Sequence, residues 1–177
     1  MTKKQLKDFG KLALATFKEP LAKHGFTLES VKTEQYSCGI VFVNAERYVK
    51  ITADSDPRNP PPYFNIILGE GGRDFFESDW NSIALWRLKK FMLQSETGSE
   101  YGLGSPESTP ELIEQSFAEL LEFGSGFLNG DLEAFRQTRS MQNKDRTPYQ
   151  IYAPDKNGKY TVVSDEPESA KMKEKYS

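Results

Sequence analysis

The stretch Gly126-Phe127-Leu128-Asn129-Gly130-Asp131-Leu132-Glu133-Ala134-Phe135 constrains this chain most, because it turns one helical pattern into another through a corner bracketed by glycines. Before it, Leu112, Ile113, Phe117, Leu120, Leu121 and Phe123 recur at the spacing of one helical face, which predicts a helix over about 110–123. Ser108-Thr109-Pro110-Glu111 supplies a hydroxyl N-cap, a proline in the first turn where its missing N–H costs nothing, and a glutamate placed to close a capping box. Gly124 and Gly126 read as left-handed or strained residues that end this helix, and Asn129 or Asp131 as the cap of the next. That second helix is expected to bury Leu132, Phe135 and Met141.

Upstream, Leu6, Phe9, Ala13, Phe17 and Leu21 define a helix from about Lys3 to His24, stopped by Gly25. Pro20 is expected to kink or break it between Phe17 and Glu19. Strands are predicted at Phe26 to Gln35, Tyr36 to Val43, Arg47 to Ala53 and Tyr63 to Leu68. Asn44-Ala45-Glu46-Arg47 is short enough for a hairpin turn, whereas Asp54 to Pro62, with four prolines in six positions, must be an extended surface loop. Gly39 reads as a bulge or a close backbone approach, and Gly69-Glu70-Gly71-Gly72 as the end of its strand.

A helix from Ser78 or Asp79 to Leu93 places Trp80 and Trp86, six apart, on different sides. Gln94 to Glu107 is the longest internal loop. Tyr149 to Tyr152 and Lys159 to Val163 flank Pro154-Asp155-Lys156-Asn157-Gly158 as a second hairpin, and the charged end from Ser164 is expected to fray. The fold expected is α+β: an N-terminal helix, an antiparallel sheet of about four strands, helices on one face and a C-terminal hairpin. A single domain spans 1–142, with a polar, hairpin-bearing tail at 143–177.

Several function classes are disfavoured. With 23 basic and 26 acidic residues the net charge is −3, which gives no cationic field for nucleic acid. No apolar run approaches the ~20 residues that span a bilayer, and Lys7, Asp8 and Lys11 interrupt any leader, so the expected location is cytoplasmic. Cys38, the single cysteine, reads as a small buried hydrophobe, and His24, the single histidine, as a helix-terminal cation facing the helix dipole. Asp54-x-Asp56 opens like a calcium loop, but Arg58, Asn59 and Asn65 occupy positions that need a ligand, a glycine and a closing glutamate. Gly69-x-Gly71-Gly72 follows a strand yet lacks the Lys-Ser or Lys-Thr of a phosphate loop. No metal, cofactor or catalytic residue is predicted.

The Gly25-Phe26 step after an amphipathic helix, the strands ending at Asp54-Ser55-Asp56 and the late Phe127-Leu128-x-Gly130-Asp131-Leu132-x-x-Phe135 together resemble small uncharacterised bacterial proteins. Some of these are grouped as immunity proteins of polymorphic toxin systems. The resemblance covers residues 5–140 and implies a protein that occludes a cognate toxin. The expectation is therefore a protein-binding module and not an enzyme. Its partner-binding residues are Asp54, Asp56, Arg58, Tyr63, Arg73, Asp74 and Glu77, on loops at one sheet edge. Two rivals stand beside it: a small carboxylate-based or metal-dependent enzyme, and a self-associating protein whose Tyr149 to Val163 hairpin completes a neighbour's sheet in a homodimer.

Overall fold

The computed structural model describes residues 1–72, 79–103, 105 and 107–176. Helix α1, Lys3–Lys23, buries the stripe Leu6, Phe9, Ala13, Phe17 and Leu21. Its first turn is closed by a capping box: the Thr2 hydroxyl accepts from Gln5 N, and Gln5 Oε1 accepts from Thr2 N at 2.7 Å. Of the kink or break expected at Pro20, the break does not occur: the helix runs on to Lys23. Pro20 stands one turn from the end, where few backbone bonds remain to be lost, and buried Phe17 and Leu21 hold the turn on either side. Gly25 then reverses the chain at φ +80°.

Strands β1 (Thr27–Thr33), β2 (Ser37–Val43), β3 (Arg47–Asp54), β4 (Tyr63–Glu70) and β5 (Ser82–Ala84) form an antiparallel sheet in that order, and β6 (Tyr101–Gly102) also pairs with β4. The β2–β3 hairpin closes at Asn44, whose Oδ1 accepts from Glu46 N and Arg47 N. The register shift falls in β1 between Leu28 and Ser30, while Gly39 pairs regularly with Lys32 and Thr52. Period-two alternation sends Ile40, Val49, Ile51, Phe64 and Ile66 to the face covered by α1, where they join one core with helices further along the chain. Gly10 brings α1 against β2 so closely that a Cβ there would lie 2.9 Å from Cys38 Sγ.

The helix expected from Ser78 or Asp79 to Leu93 divides. Ser78 lies outside the described residues; Asp79 to Asn81 make a turn, Ser82–Ala84 pair with β4, and α2 occupies only Leu85–Met92. Ser82, Ile83 and Ala84 are all buried at the sheet margin, and a short apolar run of that kind carries no period that separates strand from helix. Trp80 thus sits on the turn and Trp86 on α2. The 94–107 loop contains β6, where buried Tyr101 stacks on Phe64 at 4.8 Å.

Helix α3, Thr109–Phe123, lies where periodicity put it. Ser108 is itself helical, at φ −83° and ψ −14°, and makes no side-chain cap; its hydroxyl donates to Ser105 O. Gly124 and Gly126 are not left-handed. Gly124 serves close packing, since a Cβ there would lie 2.7 Å from Leu120 O, and the left-handed residue is Gly130, at φ +95°, after the short α4 (Ser125–Asn129). Asp131 Oδ1 accepts from Glu133 N at the start of α5, Glu133–Lys144. This helix buries Phe135, but Met141 is 63% exposed, contrary to expectation.

The predicted hairpin forms as a separate two-stranded sheet, β7 (Tyr149–Pro154) and β8 (Tyr160–Asp165), with Gly158 at φ +77° in its turn. The end expected to fray is instead helix α6, Glu166–Tyr176, whose last carbonyl accepts from Arg139 Nε and Asn143 Nδ2 of α5. Among the described residues, no helix is long and apolar enough to cross a membrane.

Candidate functional site

The proline loop organises its own charges. Asp54 Oδ1 accepts from Asp56 N at 2.6 Å, and Asp56 accepts from Arg58 N at 2.9 Å and from the Arg58 guanidinium at 2.6 Å. Those Arg58 bonds hold the Asp56 carboxyl down at about 2. Asp56 and Arg58 are thereby fixed to each other while Arg58 remains 88% exposed. Tyr63, at the loop's exit, opens β4 and lines a cavity. Arg73, Asp74 and Glu77 lie outside the described residues. Among the described residues no three acidic, histidine or cysteine side chains group as metal ligands.

Alternation along β4 puts Tyr63, Asn65 and Ile67 on the sheet face opposite α1, where Ala84 of β5 pairs with Ile67. The first turn of α2 adds Trp86 and Arg87, and Glu100 approaches ahead of β6, enclosing about 170 Å³. Within its walls, Asn65 Oδ1 and Trp86 Nε1 are buried without a hydrogen-bond partner. A second cavity of about 810 Å³ opens between α2 and α5, with Lys90, Met92, Met141 and Gln142 on its walls. Trp86 and Arg87 belong to both cavities, and the guanidinium lies over the indole at 4.4 Å. Burial lowers the Arg87 pKa, Glu100 opposes that shift and Arg146 adds to it.

Of the predicted site residues that are described, Tyr63 lines a cavity, Asp54 ends β3, and Asp56 and Arg58 lie on the loop that joins them. Asn65, Arg87 and Glu100 are the residues sequence reasoning missed, while Trp86 was singled out only as facing a different side from Trp80. Reading the segment up to Leu93 as one helix set Trp80 and Trp86 on different sides of it without a site for either, and Asn65 figured only as a missing calcium ligand. The adjacent Trp86-Arg87 pair was the available signal, an aromatic and a guanidinium together at the start of a helix.

Other ionisable groups serve architecture. Glu119 of α3 accepts from Lys89 Nζ at 2.8 Å and from the Tyr101 hydroxyl at 2.7 Å, joining α2, α3 and β6. His24 Nδ1 meets Asn129 Oδ1 at 2.9 Å, which ties the end of α1 to α4. Cys38 is fully buried, and that burial raises its thiol pKa. The chain matches no protein-family model, no curated protein and no solved structure.

Proposed function

We propose that this protein is a non-catalytic binding module acting by stoichiometric association with a protein partner, in the manner of an immunity protein that occludes a toxin. The Trp86–Arg87 wall between the two cavities supports this reading best, because stacked aromatic and arginine side chains are the residue types that anchor protein interfaces. Met92 and Met141, 47% and 63% exposed, offer adaptable apolar contacts in the larger cavity. Arg87, Lys90 and Glu96 line it, with Glu96 3.7 Å from Lys90 Nζ, so the charge left over is positive and the segment that fits is an apolar side chain beside a carboxylate. The internally tied Asp54–Asp56–Arg58 loop extends this surface beyond Tyr63 and loses little entropy on docking.

The test is capture from lysate of the cells that make the protein, comparing wild type with Met141→Asp and Lys90→Glu. A partner recovered at one-to-one stoichiometry, lost with both variants and toxic to cells unless the wild-type chain is co-expressed, fits the reading. A partner retained by both variants places the surface elsewhere; one whose toxicity is unrelieved removes the immunity role.

A second reading, self-association, is favoured by the hairpin. Tyr152, Tyr160 and Val162 are 76%, 68% and 50% exposed, and their pairing puts them on one face of a two-stranded ribbon. Sedimentation of wild type and Tyr152→Lys distinguishes them: a dimer abolished by the substitution supports this reading, and a monomer at all concentrations ends it.

A further inference from the structure

Arg87 and Glu100 face one small cavity with opposite charges, and they act on each other through space without sharing a hydrogen bond. Both side chains are exposed enough to reach a ligand. Two of the lining residues each carry a buried polar atom without a hydrogen-bond partner, the donor Trp86 Nε1 and the acceptor Asn65 Oδ1. Native proteins leave few buried polar atoms unpaired, and each is costly to leave so. Ile67 and Ala84 add a small apolar part to the lining. The volume, about 170 Å³, equals that of roughly five or six waters at ~30 Å³ each.

We infer that this cavity binds a small zwitterion, a free α-amino acid with a short side chain, its carboxylate toward Arg87 and its ammonium toward Glu100. A simple anion would satisfy Arg87 but be repelled by Glu100, and a simple amine would meet the reverse problem. A peptide terminus carries only one of the two charges. A zwitterion alone answers both, with its side chain over Ile67 and Ala84. The inference does not rest on the protein-partner reading: Arg87 lines both cavities, but two of the residues that test it, Glu100 and Asn65, line only the smaller one.

The experiment titrates L-alanine and L-serine into the full chain, followed by calorimetry and tryptophan fluorescence. Saturable binding of either is expected, weakened at least about tenfold by Glu100→Gln and by Arg87→Gln, the loss of one charged hydrogen bond each. Propionate and ethylamine, each with one of the charges, should bind at least about tenfold more weakly than L-alanine. Asn65→Leu should also weaken binding, and Met141→Asp and Lys90→Glu should leave it unchanged. Absence of saturation up to about 10 mM for both amino acids overturns the assignment. So does equal binding of propionate, which marks an anion site, or of the tripeptide Gly-Gly-Ser, which marks a site for chain termini.

Discussion

Glu70 Oε2 lies 2.5 Å from Arg139 Nη1, joining the last residue of β4 to the middle of α5 across 69 positions of sequence. Arg136 Nη2 binds the other carboxylate oxygen at 2.7 Å, and Arg139 passes the connection on to the Tyr176 carbonyl. Burial of Glu70 pushes its pKa upward, but the bonds from Arg136 and Arg139 together outweigh it and the net direction is down.

Glu70→Gln therefore leaves the Arg139 side chain, 6% exposed, without its counter-charge. The expected loss is about 2 kcal/mol, below the ~3–5 kcal/mol of a fully buried pair because the carboxylate is partly solvated. Since the folded pKa is depressed below the ordinary 4.5, the wild-type contribution is complete above 4.5 and disappears as pH falls through the lower folded value. Urea unfolding at pH 7 and in acid measures both: the variant should be weaker at pH 7, and its deficit should shrink in acid. A constant deficit would mean the carboxylate's charge is not what stabilises the joint.

Gly10 and Cys38 test how tightly α1 sits on the sheet. Gly10→Ala brings up to ~1 kcal/mol of helix propensity but forces a Cβ to 2.9 Å from the Cys38 sulfur, an overpacking cost of about 1–3 kcal/mol. Overpacking wins, so the single variant should be destabilised. In a Cys38→Ala background the sulfur is gone and the same substitution should cost nothing or stabilise. A double-mutant cycle by urea denaturation should give a coupling of about 1 kcal/mol or more, and additivity would show that the helix shifts freely.

Legibility in the sequence followed the strength of the period. The α1 stripe and the α3 face are stated by their residues, because each buries one side and leaves the other to solvent, and the β2–β3 hairpin is stated by its short turn at Asn44 between two β-rich runs. The failures share a cause: burial that does not alternate. Ser82-Ile83-Ala84 is buried on every side, so nothing local distinguished an edge strand from the first turn of α2. Pro20 and Ser108 were misjudged for another reason. Local preference reads a proline as a break and a serine as a cap, and tertiary packing or a competing acceptor, here Ser105 O, overrode each.

The site was less legible than the fold. Tyr63 was identified because it closes the proline loop. Glu100 and Arg87 are thirteen residues apart, and only the pairing of β6 with β4 carries the segment before Tyr101 back toward Tyr63. Helix α6 was lost to its charge: Lys171, Lys173 and Glu174 look like a solvated tail, while the Tyr176 carbonyl accepts from α5, Lys173 Nζ donates to Lys144 O and Ser169 Oγ accepts from Tyr149 N.

Tyr149 pins the hairpin to the body of the protein. Its hydroxyl donates to both carboxylate oxygens of Asp79 at 3.0 Å, and its ring packs on Trp80 at 5.9 Å. Tyr149→Phe keeps the ring and removes the bonds, at an expected cost of about 1–2 kcal/mol. Burial, then the Asp79 carboxylate, raises the Tyr149 pKa above 10, so its contribution is complete below pH 10 and is lost as pH rises toward the folded value. Unfolding midpoints at pH 7 and above pH 10 check this: wild type should fall toward the variant in alkali, and parallel curves would refute the assignment.

Tyr101 holds the segment that carries Glu100. Its ring stacks on Phe64, its hydroxyl donates to Glu119 at 2.7 Å, and Leu103 N donates to Pro62 O two residues later. Burial comes first, then the Glu119 bond, in raising the tyrosine's pKa, so the proton stays on the hydroxyl and the contact is a donor to a carboxylate at neutral pH. Tyr101→Phe preserves the stacked ring and deletes only that bond, which should cost about 1–2 kcal/mol. The loss should be local. Amide exchange at residues 101–103 should quicken while β2 and β3 keep their protection, because the hydroxyl bond ties β6 to α3 and not the central strands to one another. With Glu100 less firmly placed, alanine or serine binding should weaken, by less than Glu100→Gln causes. Accelerated exchange throughout the sheet would instead show that Tyr101 supports the whole core, and unchanged exchange at 101–103 would show that the Phe64 stack alone suffices.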